Sequence, residues 1–238
     1  MKTLLCLLLL SHAIMLTSCT KDPLTRPAKV HFLFGMTDYA LQEDKSQSAS
    51  KDDFRGPFVM NRGTLVISSI EFEGRREQGE DVFFTSNPGQ AIVADLGDET
   101  MNTNVHFDIP QGIYHHMEII LHLGTDEHPA LVLHGSLQRG PFEDIPVRFE
   151  YRFSERIRIT GKGQNQQNVV LREDNPSTAR IELDVESVFR LVHMGMIMSA
   201  STVQEGGQNI ILIDNASNLP IFNMTANRIT NAFTMVID

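Results

Sequence analysis

The stretch that decides the fold class is GTLVISSIEF, residues Gly63 to Phe72. It is dense in β-branched and aromatic residues, which fit strands, and Glu73 and Gly74 end it. Other short segments of strand-forming residues lie before and after it, separated by Gly, Pro and Asn turns such as Ser86–Gly89. Short strands at this spacing are typical of a mainly β protein. We therefore predict an antiparallel β-sandwich rather than an alternation of strands and helices.

The remaining strands are predicted from the same pattern. They lie at 30–34, 81–85, 90–96, 105–109, 113–123, 130–134, 147–153, 156–160, 168–171 and 180–185. Two of these segments, Ile113–Leu123 and Ala130–His134, stand on either side of a turn-like stretch that begins at Gly124 and ends at Pro129. This arrangement predicts that the two segments pair as a hairpin.

The end of the chain follows a different period. Asn218 suits a helix cap and Pro220 suits a first helical turn. Apolar residues then recur at intervals of four and three, at Phe222, Ala226, Ile229, Phe233 and Val236. Such a spacing is one face of an amphipathic helix. One or two short helices are therefore predicted toward the C-terminus, one near residues 219–236 and a shorter one near 186–193.

The first residues have the layout of an export signal. Lys2 is followed by the apolar run Leu4–Leu10, which is too short to span a bilayer of about 30 Å. The segment closes on Leu16-Thr17-Ser18-Cys19, which resembles a bacterial lipobox. In that motif the cysteine thiol takes a diacylglycerol with palmitate-type chains, and the peptide is cut on the N-terminal side of the cysteine. Residues 1–18 are thus predicted to be a lipoprotein signal peptide, with Cys19 as the lipidation site.

Cysteine usage agrees with this interpretation. Cys6 lies inside the predicted signal, so Cys19 is the one cysteine left in the mature chain and has no partner for an internal disulfide. Two acyl chains hold a protein stably on a membrane. Residues 19–28 are predicted to be the acylated cysteine and a tether, and 29–238 a single β-sandwich domain. The predicted location is the bacterial cell envelope, at the outer membrane, facing either the periplasm or the outside.

Composition excludes several classes of function. The net charge of −10 disfavours nucleic acid and anionic lipid as partners. Tryptophan is absent, which argues against a sugar-stacking platform. The sequence has no Gly-x-Ser-x-Gly elbow and no Walker spacing, and lipid would consume the sole mature cysteine. We therefore predict a protein that is not an enzyme.

Several short motifs resemble two groups of bacterial proteins. Phe107–Tyr114, followed by a strand that ends in Leu123-Gly124, is similar to an uncharacterised family of lipoprotein domains with Ig- or transthyretin-like sandwiches. Ile181–Phe189 and Ala226–Phe233 are similar to the MbnP-like family, named for a periplasmic partner of the copper chelator methanobactin. The resemblance implies a sandwich fold. Copper-binding members of the second family use histidines with an oxidised tryptophan, so their metal site does not carry over to this chain.

Two groups of residues are candidates for metal binding. In the first, a strand at 113–123 would place His116, Glu118 and His122 on one face. The predicted hairpin would add His134, and imidazoles with a carboxylate suit zinc or copper(II). Because His116 and His122 are roughly 20 Å apart along a strand, a shared ion requires one of these two histidines with a residue from elsewhere. The alternative is that all four residues are ordinary strand residues.

The second group is His193, Met194 and Met196. Imidazole and thioether ligands at close spacing suit copper(I), although methionine also fills irregular cores. These observations leave two functional hypotheses. The first is a lipid-anchored binding or assembly domain whose partner is an envelope protein or a glycan, with no cofactor. The second is a periplasmic protein that handles copper or another metal.

Overall fold

The computed structural model describes residues 23–41, 57–97, 105–140, 143–164 and 167–238. The prediction of a mainly β protein is confirmed. The described strands are β1 (Pro27–Met36), β2 (Tyr39–Leu41), β3 (Phe58–Arg76), β4 (Val82–Ser86), β5 (Ile92–Asp95), β6 (His106–Pro110), β7 (Gly112–Leu123), β8 (Leu131–Gly140), β9 (Glu143–Tyr151), β10 (Glu155–Gly163), β11 (Val169–Leu171), β12 (Ser177–Leu183), β13 (Val203–Glu205), β14 (Gln208–Ile213) and β15 (Phe233–Ile237).

Three short helices accompany the strands within the described residues. They are α1 (Val185–Phe189), α2 (Met194–Met198) and α3 (Leu219–Ala226), and single 3-10 turns lie at Pro23–Thr25 and Ile229–Asn231. Buried side chains from the strands and the helices form one core. Within this core Phe189 of α1 packs edge-on against Phe58 and Phe149, with ring centres 5.5 and 5.9 Å apart. The helices therefore cover apolar sheet surface near these rings.

The sheet is mixed, so the prediction of a purely antiparallel arrangement is wrong. Its strand order is β13-β14-β9-β8-β3-β7-β10-β15-β12-β1-β6. Three of its pairs are parallel: β1 with β12, β10 with β15, and β9 with β14. A parallel neighbour needs a crossover connection, commonly a helical one. In chain order α1 and α2 follow β12, and α3 lies between β14 and β15, while other strands also lie between the two members of each parallel pair.

The predicted hairpin between β7 and β8 is also wrong. β3 is 19 residues long, and it pairs with β8 over Phe58–Leu65 and with β7 over Ile67–Arg76. Both strands are antiparallel to β3, so β7 and β8 follow one another along it in the same direction. At Val66, the amide donates to the Ala130 carbonyl (3.0 Å) and the carbonyl accepts from the Gly124 amide (2.9 Å). Residues 125–129 therefore loop out of a nearly continuous strand.

The C-terminal helix is shorter than predicted. α3 ends at Ala226, and the second half of the predicted helix is a 3-10 turn followed by strand β15. Phe233, Met235 and Ile237 are buried while Val236 is 47% exposed, which is the two-residue period of a strand. Asn218 precedes α3 in a left-handed conformation, but its side chain does not cap the helix. It donates instead to the Leu212 carbonyl (2.7 Å) and the Ser201 carbonyl (2.9 Å).

One buried arginine fixes the N-terminal segment to the sheet. Arg76, at the end of β3, donates to the carbonyls of Leu24 (2.6 Å), Glu80 (2.7 Å) and Gln111 (3.3 Å) and is 8% exposed. Gly79 packs over the guanidinium in a left-handed conformation (φ 86°), where a Cβ would lie 3.0 Å from Nη2. β1 begins at Pro27, which pairs with Pro110 of β6. The folded chain therefore starts before residue 29, inside the segment predicted as a tether.

Candidate functional site

The predicted lipidation site, Cys19, lies outside the described residues. The nearest described segment leaves the domain beside the β6–β7 turn, where the Gln111 amide donates to the Arg26 carbonyl (2.8 Å). Arg26 also forms an ion pair with Glu173 (3.1 Å). The end of the domain defined by Leu24, Arg26, Arg76 and Gln111 is called the tether end below. No helix of the described residues is long and apolar enough to cross a membrane.

The first group of predicted metal ligands lies on the outward face of β7, and the acid of this group, Glu118, pairs with an arginine. Glu118 is 4% exposed and forms an ion pair with Arg158 of β10. The positive charge of the Arg158 guanidinium offsets the negative charge of Glu118, which would otherwise attract a metal ion. His116 is half-buried, and its cross-strand neighbour on β3 is Arg75. This part of the outward face therefore carries the ion pair of Glu118 and Arg158, with the cation Arg75 next to His116, and not a cluster of metal ligands.

His122, the third member of this group, contacts a carboxylate rather than another histidine. Its Nε2 lies 2.5 Å from Glu71 Oε1 on β3. Arg156 of β10 donates to the other oxygen of Glu71 at 2.9 Å. The hydrogen bond from Arg156, together with the one from His122, lowers the pKa of Glu71. The three side chains form a cross-strand charge network over β3, β7 and β10.

His134 does not join His122, because the hairpin that would unite them does not exist. His122 lies opposite Ser69 of β3 and His134 opposite Arg62, so the two histidines are separated by roughly 20 Å at about 3.3 Å per residue of β3. His134 instead stands between Arg62 and Arg148 on neighbouring strands. Burial, followed by the charges of Arg148 and Arg62, lowers its pKa. The lowered pKa favours the neutral form of this imidazole.

The second group of predicted ligands belongs mostly to the core. Met194 is 6% exposed and joins the main hydrophobic cluster, and Met196 is partly buried against it. His193 is exposed and precedes α2. Methionine here fills space beneath a short helix, the alternative that the sequence had left open. Over the described ranges, 23–41, 57–97, 105–140, 143–164 and 167–238, no three His, Cys, Asp or Glu side chains are grouped to hold a metal ion.

A cleft of about 650 Å³ opens between two segments of the sheet. One wall is Ser86 with residues 91–93, around the junction of β4 and β5, and the other is residues 105–107 at the start of β6. Phe107 also packs against Phe84 of β4, with ring centres 5.3 Å apart. β5 pairs with β3 and β6 pairs with β1, so the cleft separates two strands that are not paired with each other. These residues line a recess that is open to solvent.

Sequence reasoning missed one pair of residues at this cleft. His31 of β1 and His106 of β6 are direct cross-strand partners, and their ring centres are 5.8 Å apart. His106 also borders the cleft. Each histidine stands at a polar position of an alternating strand, which is a visible signal. No local sequence pattern, however, links two residues that are 75 positions apart.

No protein-family model, no curated protein and no solved structure matches this chain.

Proposed function

We propose that this chain is a lipid-anchored protein of the bacterial cell envelope, with a non-enzymatic binding or assembly domain. The observation that carries the proposal is the sequence Leu16–Cys19 placed eight residues before the first strand, which begins at Pro27. A lipid on Cys19 would hold the tether end toward the membrane, and the expected membrane is the outer one. We take the sheet to form two face-to-face layers of a sandwich, because alternate residues of strands such as β1 and β12 are buried.

The experiment compares the two cysteines of the precursor. Cells expressing the wild type, Cys19→Ala or Cys6→Ala are labelled with a palmitate analogue and fractionated. Lipid label and membrane association are expected for the wild type and for the matched control Cys6→Ala. Cys19→Ala is expected to carry no label, because it lacks the thiol that accepts the lipid. Label on Cys19→Ala, or an unlabelled wild type, would refute the anchor.

The binding role rests on the cleft between β4–β5 and β6. It is lined mainly by apolar atoms of Ala91–Val93, Val105 and Phe107, with Ser86 and His106 as polar groups. The recess is shallow and open, and its apolar lining with few polar groups is a feature that it shares with ligand sites. Val105 lies at the far end of β6 from Pro110, which pairs with Pro27 beside the tether end. A membrane at the tether end would leave the cleft open to an envelope protein or a glycan.

A second candidate function is metal handling in the envelope, with copper as the first ion to test. One specific observation favours it, the cross-strand pair His31 and His106. Neutral imidazole is a ligand that copper(II) and zinc accept readily. The residues selected from the sequence offer less, because they lie apart from one another: Glu118 and His122 contact other charged groups, and Met194 and Met196 pack on the core.

A further inference from the structure

We propose that His31 and His106 form a two-histidine site for a divalent transition-metal ion, copper(II) or zinc, at the mouth of the cleft. The inference deepens the metal-handling candidate and does not depend on acylation. It assigns the site to residues on β1 and β6, none of which belongs to the groups that the sequence indicated.

The backbone register brings the two side chains to the same side of the sheet. The Phe32 amide donates to the Val105 carbonyl at 2.8 Å, so Phe32 and Val105 are a hydrogen-bonded pair. In an antiparallel ladder the next pair is of the non-hydrogen-bonded kind, whose side chains approach most closely. That next pair is His31 and His106. The backbone therefore holds both imidazoles at the closest spacing that a sheet provides.

The ring geometry suits chelation of one ion. Two imidazoles that bind one ion at about 2.0–2.1 Å have ring centres roughly 5 Å apart. The observed separation is 5.8 Å with an angle of 42° between the planes. The observed separation is within about 1 Å of the chelating distance. Because neither strand has to move, the loss of conformational freedom on binding is small.

The surroundings leave the ion accessible. His31 is half-buried and His106 is exposed, and both belong to the outward face of their strands. The next outward pair along the same strands is Lys29 opposite Asp108, one charge of each sign. His106 and its neighbour Phe107 also line the cleft, so a ligand bound in the cleft would lie close to the ion. A carboxylate or imidazole of a bound partner would complete the coordination there.

The test is a titration of the purified full chain with copper(II) chloride and with zinc chloride, followed by calorimetry. One equivalent is expected to bind with a Kd of about 1 μM or tighter, which corresponds to about −8 kcal/mol. His31→Ala and His106→Ala are each expected to weaken binding at least tenfold, because one imidazole remains. The matched control is His128→Ala, which removes an exposed histidine from the loop between β7 and β8.

Electron paramagnetic resonance of the copper(II) form gives a second readout. Hyperfine coupling to two imidazole nitrogens is expected in the wild type and to one in each single variant. Circular dichroism checks that the variants remain folded, as expected for two outward-facing side chains. Absence of binding at micromolar concentration, or equal weakening by His128→Ala, would overturn the site. Failure of the lipid-labelling experiment would leave these results unchanged, so the two proposals are tested separately.

Discussion

Replacing Arg76 by alanine is expected to destabilise the protein and to release its N-terminal segment. The guanidinium makes two short hydrogen bonds, to the Leu24 carbonyl (2.6 Å) and the Glu80 carbonyl (2.7 Å), in an 8% exposed position. A hydrogen bond from a charged group contributes about 1.5–3 kcal/mol, so the two give about 3–6 kcal/mol. The Leu24 carbonyl regains water once its segment detaches, which places the expected loss near the lower value, about 3 kcal/mol.

The adjacent residue supplies the control for this prediction. Arg75 has a side chain 55% exposed and pairs with Glu73 at 2.8 Å. An exposed ion pair of this kind contributes at most about 1 kcal/mol, so Arg75→Ala is expected to lower the free energy of unfolding by no more than that. The two variants differ in burial and not in the type of residue removed. A difference of about 2 kcal/mol or more between them therefore measures the buried contacts.

Urea unfolding, followed by circular dichroism, measures the free energy, and hydrogen exchange measures the release of the segment. In Arg76→Ala the amide of Gln111, which bonds to the Arg26 carbonyl, is expected to exchange faster than in Arg75→Ala. Equal unfolding free energies for the two variants would refute the argument that Arg76 fixes the segment. So would unchanged protection of the Gln111 amide.

Two further predictions concern β8. Gly135→Ala is expected to destabilise the fold by about 3 kcal/mol or more in urea unfolding, because a Cβ would lie 1.8 Å from the Val59 carbonyl oxygen. Gly140→Ala is the control, because a Cβ at Gly140 would meet open space. His134 has a lowered pKa through burial and the Arg148 charge, so the unfolded chain binds a proton first as the pH falls below about 6.5. Stability is therefore expected to fall from pH 7 to pH 5, and a curve for His134→Gln as steep as the wild-type curve would contradict this.

The sequence was sufficient to predict most strands, because their signal is local. The alternation in Arg180–Val185 predicted a strand, and β12 spans Ser177–Leu183 with every second residue buried. The pairing of β7 with β8 could not be predicted in the same way. A turn-like stretch between two strand segments fits a hairpin and a looped-out excursion equally well. The outcome was decided by β3, whose 19 residues offer one continuous partner to both strands.

The error at the C-terminus has a similar origin. Ile229, Phe233 and Val236 fit a helical period, and Phe233, Met235 and Ile237 fit a strand period, so two patterns overlap on the same residues. Only tertiary contacts choose between them. β15 fits between β10 and β12, where it completes hydrogen bonding on both sides. The position that the helical pattern would bury, Val236, is consequently 47% exposed.

The lipidation site and the histidine pair also differ in how far the sequence can predict them. A lipobox is a linear motif, so a sequence is enough to predict Cys19 as a lipidation site. The pair His31 and His106 depends on strand register, and no local pattern contains it. Of the site groups selected from the sequence, the first relied on a hairpin that does not form, and the second was a set of residues close along the chain. In a sheet, however, residues that share an ion come from neighbouring strands, because neighbours along one strand on the same face are already about 6.6 Å apart.

The tether geometry connects these two proposals. If Cys19 carries lipid, the segment Cys19–Pro23 separates the lipid from the contact between Arg76 and the Leu24 carbonyl. Five residues span at most about 18 Å when fully extended. His31 is twelve residues from Cys19, so the metal site would stay within about 40 Å of the bilayer even if this stretch were fully extended. A partner that exchanges an ion at His31 and His106 would therefore act close to the membrane surface.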